Sequence, residues 1–219
     1  MENKFLSNIN RHVQENFWLY IISLLCICTG IVLGIYSVKY MGSFEKGDLL
    51  SYVESFSKSI SSNGVDSKSI LFEAIKNNIT LIIAIWFLGL TMIGIPVILI
   101  IDVIKGFTIG FTTSFIVNGL GMKGIWMSLL GVLPQNLIYI PCIIFASVLA
   151  MEFSIQILRD KNNRGFQNGI WVRATSYSFS FVFVVVIMFI GFLMESYITP
   201  NMIKLVVARV GFVCYVYRI

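Results

Sequence analysis

Long runs of residues without charge are the feature that most constrains how this chain can fold. About 20 apolar residues suffice for a helix to cross the ~30 Å hydrocarbon core of a bilayer. Four runs reach that length, and their bounds are 17–38, 79–101, 125–151 and 174–194. A fifth run, 106–122, has 17 residues and is close to the lower limit. We therefore predict an all-α, polytopic membrane bundle with about five transmembrane helices, forming one domain over residues 1–219.

Composition also places the chain in a membrane. The 219 residues are 57% hydrophobic and only 12% charged, whereas soluble domains are typically about 25% charged. Too few charged residues remain to cover a soluble surface of this size. The first run is longer than the apolar region of a signal peptide, and no small-x-small cleavage site follows it, so we expect an uncleaved membrane anchor.

The basic residues predict the orientation, because cytoplasmic loops carry an excess of Lys and Arg. The strongest cluster, between the fourth and fifth runs, is Arg159, Lys161, Arg164 and Arg173. This loop and the amino terminus should therefore face the cytoplasm, and the loop 39–78 should face outward. The short turn that holds Asp102 and Lys105 should then lie inside.

Two further segments have apolar residues at helical spacing. In the outer loop, the stripe consists of Leu49, Leu50, Val53, Phe56 and Ile60, and a second, shorter stripe follows at 70–75. Such helices lie on the leaflet, pack over the spans or bind a partner, so Leu49, Leu50, Val53 and Phe56 are a candidate partner surface. The tail 202–219 predicts an interfacial helix or, alternatively, a sixth span, and this choice decides the side of the carboxyl terminus.

Small residues indicate where helices approach each other closely. Gly30 and Gly34 are four residues apart in the first run, and Gly106, Gly110 and Ser114 continue the same spacing along the third. Glycine at this spacing forms a groove that lets a second helix backbone approach. We expect these five residues to mediate helix packing, either within the bundle or with another protein.

The fourth run contains the segment GVLPQNLIYIP at 131–141, which is unusual for a membrane span. Pro134 removes a backbone donor, while Gln135 and Asn136 are costly in hydrocarbon unless protein groups satisfy them. We predict a helix broken at Leu-Pro-Gln-Asn, with half-helices 125–133 and 137 onward. The amides should form a polar clasp between the break and the third span. The alternatives are a binding site at a broken helix, as in transporters, or a partner contact.

Residues with catalytic or metal-binding potential are few. The only histidine, His12, precedes the first run and is expected at the interface, and the four cysteines lie in apolar sequence where no disulfide is expected. No HExxH or phosphate-binding GxxxxGK[ST] motif is present. The acids Asp102, Glu152 and Glu195 fall at the ends of runs, where water or headgroups can solvate them. We therefore expect no enzyme activity, cofactor, metal or nucleic-acid partner.

Several segments together resemble the stage II sporulation protein M family of spore-forming bacteria. The most specific are GIPVILIIDVIKGFTIGFTTSFIVNGLGMKG at 94–124 and the GVLPQNLIYIP segment. The others are HVQENFWLYIISLLCICTGIVLG, MGSFEKGDLLSYVESF and FSIQILRD. The resemblance extends over nearly the whole chain and is weakest after about residue 196.

The resemblance implies a non-catalytic scaffold in the mother-cell membrane at the sporulation septum. Its expected partners are stage II sporulation proteins D and P, which cut peptidoglycan during engulfment. The alternative function class is a small transporter or permease subunit, with a polar path formed by Asp102, Gln135, Asn136 and Glu152. A cavity that reaches the membrane midplane beside Asn136 would favour transport, and a closed bundle would favour the scaffold. The oligomeric state does not follow from the sequence.

Overall fold

The computed structural model of the protein describes residues 11–42, 67–91, 93–162 and 170–199, together with Gly47, Ser51 and Asn201. All regular secondary structure in these residues is helical. The elements are α1 (Phe17–Tyr40), α2 (Ser67–Gly89), α3 (Gly94–Leu120), α4 (Met122–Gly131), α5 (Leu133–Asn162), α6 (Ile170–Leu193) and a π-helix, π1 (Met194–Ile198).

Five of these helices are long and apolar enough to cross a membrane. Their apolar stretches are Phe17–Tyr40, Lys68–Gly89, Gly94–Gly119, Leu133–Arg159 and Val172–Tyr197. Helices suit this setting because they satisfy their backbone hydrogen bonds internally, where lipid offers no partners. The prediction of a polytopic all-α bundle with about five spans is confirmed.

The second and third spans differ from their predicted bounds, 79–101 and 106–122. The chain turns between Gly89 and Gly94, where the N–H of Thr91 donates to the carbonyl of Leu88 and the N–H of Gly94 donates to that of Thr91. Pro96 lies in the first turn of α3, where its missing N–H has little cost. Asp102 and Lys105 therefore belong to an unbroken transmembrane helix, not to the predicted cytoplasmic turn.

The predicted break in the fourth span is present, but it lies slightly earlier in the chain. Gly121, with φ of 57°, leads into the ten-residue helix α4, and Val132 separates α4 from α5. Pro134 therefore occupies the first turn of α5 rather than a gap between half-helices, and Pro141 lies inside the helix. The membrane-crossing part of the fourth span is α5 alone.

Helix α5 lies at the centre of the bundle. In its most apolar stretch of 18 residues, 56% of the residues are buried, against 22% to 33% in the corresponding stretches of the other four spans. It contacts all four of them, while α1 packs mainly against α3. The outward faces of α1 and α6 carry large exposed apolar side chains, among them Leu24, Leu25, Val182 and Val186, which suits contact with lipid.

The remaining predictions concern the loop between the first two spans, the tail and the bounds of the fifth span. The second stripe of the outer loop, 70–75, belongs to the transmembrane helix α2 and is not a separate surface helix. The first stripe, with Leu49, Leu50, Val53 and Phe56, lies outside the described residues, as does the tail 202–219. The fifth span begins earlier than the predicted residue 174 and continues through π1.

Candidate functional site

The glycines of the first and third spans face each other across the α1–α3 interface. A Cβ atom on Gly30 would overlap the carbonyl oxygen of Val103, and one on Gly34 would overlap that of Phe107. Conversely, a Cβ atom on Gly106 would overlap the carbonyl of Ile27, and Gly110 has the same relation to Ile31. The two backbones therefore approach closely within the bundle, as small residues allow.

The remaining member of the stripe, Ser114, has a different role. Its hydroxyl and its backbone carbonyl both accept hydrogen bonds from the side-chain amide of Asn118, at 3.1 and 2.8 Å. The buried residues of α1 are Ser23, Ile27, Gly30, Gly34 and Val38. Ser23 is the polar residue at one end of this series.

A fully buried carboxyl group lies next to Ser23. Both Asp102 and Ser23 are 0% exposed, as is Ser147 of α5. The hydroxyl of Ser23 donates to Oδ2 of Asp102 at 2.6 Å, and that of Ser147 donates to Oδ1 at 2.7 Å. Asp102 thus ties α1, α3 and α5 together, and the expectation that it lies at a solvated helix end is wrong.

The predicted clasp residues contact other groups than expected. The side-chain amide of Asn136 donates to the carbonyl of Val132 at 2.7 Å and so satisfies the α4–α5 break itself. The Oε1 atom of Gln135 accepts a hydrogen bond of 3.1 Å from the hydroxyl of Thr199, which follows π1. The hydrogen bond of Asn136 thus lies within the break, and that of Gln135 reaches the end of the fifth span. The third span provides neither partner.

A cavity of about 430 Å³ lies beside these amides, at the end of the bundle where α2 and α5 begin. It reaches Lys105, close to the middle of α3. Its polar lining comes from four helical elements and consists of Glu73, Asn77, Asn78, Lys105, Thr108, Thr112, Gln135, Asn136, Tyr139 and Glu195. A cavity with charged walls between membrane spans is a candidate binding site.

Tyr139 contacts two of the charged residues that line this cavity, Lys105 and Glu195. Its hydroxyl donates to Oε2 of Glu195 at 2.6 Å, and the ammonium of Lys105 lies 5.8 Å from its ring centroid. Lys105 also donates to Oδ1 of Asn78 at 3.1 Å. Glu195 lies in π1, an irregular element that often accompanies functional sites.

Glu152 and His12 form a separate contact at the opposite end. Nδ1 of His12 lies 3.2 Å from Oε2 of Glu152, while Gln156 donates to Oε1 at 3.1 Å. The His12 ring packs edge-on against Tyr20 and Phe145. Only 19% of the His12 side chain is exposed, so this residue belongs to the bundle and not to its surface. The carboxyl group of Glu152 thus contacts His12 and Gln156.

The cavity residues Lys105, Tyr139 and Glu195 were not predicted as a site from the sequence. A signal was present in the Gly-Ile-Pro step at 94–96, since proline favours the first turn of a helix. Starting the third span there places Asp102 and Lys105 deep in the membrane, where ionisable residues are functional candidates.

The fold and these intramembrane polar contacts define a multi-pass helical membrane protein. The family model for stage II sporulation protein M matches residues 23–200, which is most of the chain. The protein therefore belongs to the stage II sporulation protein M family and is a sporulation-related membrane protein. Comparisons with curated proteins and with solved structures give no match.

Proposed function

We propose that the protein is a non-catalytic scaffold in the membrane that engulfs the forespore. In this role it anchors or positions peptidoglycan-degrading partners at the septal mother-cell membrane. The proposed partners are stage II sporulation proteins D and P, as the family resemblance implies. Family membership supports the sporulation and membrane parts of this proposal.

The observation that carries the scaffold proposal is the mutual packing of the α1 and α3 glycines. Gly30 and Gly34 contact the α3 backbone, and Gly106 and Gly110 contact the α1 backbone, so these grooves are filled within the chain. The Asp102 carboxyl is likewise used to join three helices. These contacts join α1, α3 and α5 into one packed unit, and the loop between α1 and α2 is the segment we assign to partner binding.

Recovery of partners from sporulating cells tests this proposal. An epitope-tagged copy that replaces the native protein is solubilised in mild detergent after brief cross-linking, and the co-purified proteins are identified. Stage II sporulation proteins D and P should be recovered, and an unrelated multi-pass protein with the same tag should not recover them. Their absence, with the tagged protein present in the septal membrane, would contradict the scaffold role.

A second candidate function, transport, is favoured by the cavity beside Gln135 and Asn136. The cavity contains charged groups and approaches the middle of α3, which is the feature expected for a transporter site. However, the polar path expected from the sequence is divided among three places. Gln135 and Asn136 line the cavity, Asp102 is fully buried, and Glu152 lies at the opposite end with His12. Solute uptake by proteoliposomes that contain only this protein would support transport.

A further inference from the structure

We propose that the cavity at the start of α2 and α5 binds a short peptide with free ends, of about two residues. Lys105 would take the peptide carboxylate, and Glu195, with Glu73 nearer the opening, would take the peptide ammonium. This inference does not rest on the scaffold role, because binding at this site is measurable on the isolated protein.

The position of Lys105 is the first reason for this proposal. A charged side chain near the middle of a membrane span is costly and usually serves a function. The ammonium has three N–H donors, and its hydrogen bond to Asn78 uses one of them. Within the part of the chain that the structure describes, Asn78 is its one hydrogen-bond acceptor, so two donors can reach an anionic group in the cavity that Lys105 lines.

Glu195 supplies the complementary charge on the same cavity. Its Oε2 atom accepts the hydrogen bond from Tyr139, while a carboxylate has room for about four such bonds over two oxygens. Glu73 adds a second carboxylate to the wall. With two carboxylates and one ammonium, the lining disfavours a purely anionic ligand such as phosphate and favours one that carries a cationic group.

Both charged groups border the same tyrosine side chain. Lys105 lies over the ring of Tyr139, and Glu195 is hydrogen-bonded to its hydroxyl. A dipeptide is the shortest ligand that combines two charged ends with a peptide bond, and two residues of extended chain span about 7 Å, at 3.3–3.6 Å per residue.

The rest of the lining suits a peptide bond. Amide side chains both donate and accept hydrogen bonds, and those of Asn77, Gln135 and Asn136 line the cavity together with the hydroxyls of Thr108 and Thr112. The volume of about 430 Å³ lies within the range of 300–1,000 Å³ typical of small-molecule sites. A structural ion pair alone would need no such space around it.

Ligand analogues test the proposal on the unmodified protein. The full chain, purified in detergent or nanodiscs, is titrated with alanyl-alanine while thermal unfolding and binding heat are followed. Alanyl-alanine should raise the Tm in a saturable way, since a ligand that binds only the folded state stabilises it. N-acetyl-alanyl-alanine, without the ammonium, and alanyl-alanine amide, without the carboxylate, should each bind at least about tenfold more weakly, because each loses a charged hydrogen bond. No response to alanyl-alanine, or equal responses to all three compounds, would overturn the proposal.

Variants then assign the two ends. Lys105→Met should remove the preference for alanyl-alanine over its amide, and Glu195→Gln should remove the preference over the acetylated form. Lys76→Met is the matched control, because this lysine is an exposed residue of α2 outside the cavity lining, and it should bind like the native protein. Native-like selectivity in a folded Lys105→Met variant would refute the assignment. If that variant does not fold, the binding of the three compounds to the native protein remains the test of the proposal.

Discussion

The hydroxyl of Ser23 donates a 2.6 Å hydrogen bond to the carboxyl group of Asp102, from a position 79 residues earlier in the chain. Ser147 donates to the other oxygen of the same carboxyl group. A single acidic side chain thus joins the first, third and fourth membrane spans. Because lipid offers no alternative partners, the loss of this acceptor should affect the whole bundle.

Replacing Asp102 with Leu should lower the thermal stability of the purified protein. Interhelical hydrogen bonds in membranes contribute about 0.6 kcal/mol on average and up to about 1.7 kcal/mol, and this change removes two of them. Asp102→Asn is the control, since an amide can still accept from one serine and donate to the other. Equal Tm values for the Leu and Asn variants would show that the serine contacts contribute little.

Replacing Gly110 with Leu should remove most of the protein from the membrane. The new side chain would have to occupy the space of the α1 backbone at Ile31, and neither helix can move without losing the Gly30 and Gly34 contacts. Gly42→Leu is the matched control, because nothing lies within 4 Å of a Cβ atom added there. Quantitative immunoblots of membrane fractions measure the outcome, and a normal amount of the Gly110→Leu variant would contradict this packing.

The sequence predicts the helical class, the number of spans and the packing glycines because these depend on local pattern. Apolar length defines a span, and the spacing of Gly30 and Gly34 indicates a contact without naming its partner. The bounds of α2 and α3 could not be predicted from charge-free runs alone. Asp102 interrupts such a run, yet it is buried because Ser23 and Ser147 satisfy it, and that pairing exists only in three dimensions.

The hydrogen bond between Gln135 and Thr199 should connect the start of α5 to the end of the fifth span. In a double-mutant cycle, Gln135→Leu and Thr199→Val should each destabilise the protein, and their combination should destabilise it by less than the sum. The coupling should be about 0.6 kcal/mol. Additive effects on the free energy of unfolding would show that the two side chains do not interact in the membrane.

Asn136 should contribute to stability, because its side chain is buried and satisfies the carbonyl of Val132 at the helix break. Asn136→Leu should lower Tm modestly, and the Gln135→Leu, Asn136→Leu pair should lower it further. Circular dichroism melts in detergent measure both changes. Unchanged stability combined with loss of function would instead identify these amides as a binding or transport site.

The predicted orientation is testable with introduced cysteines in a background without reactive native thiols. Cysteine at Ser62, in the loop between α1 and α2, should react with an impermeant thiol reagent in intact cells. Cysteine at Asn163, in the basic loop between α5 and α6, should react only after the membrane is permeabilised. The reverse pattern would contradict the orientation inferred from Arg159 and Arg173.

The cavity illustrates what sequence patterns cannot supply. Lys105, Tyr139 and Glu195 come from α3, α5 and π1, so no single segment contains a motif. Gln135 and Asn136 were recognisable as unusual for a membrane span, but their partners Thr199 and Val132 depend on where α5 begins. The sequence therefore indicates part of the lining but not the cavity.

The scaffold account is tested most directly by the outer loop, where two added charges should release the partners without damaging the bundle. A Leu50→Asp, Val53→Asp double variant is compared with Ser55→Asp, Ser59→Asp, which adds the same charge outside the apolar stripe of that segment. Both are purified from sporulating cells, and the recovery of stage II sporulation proteins D and P is measured per amount of scaffold. Both variants should reach normal membrane levels, and only the Leu50, Val53 variant should lose the two hydrolases. Full recovery of both hydrolases with a stable Leu50, Val53 variant would contradict the scaffold role.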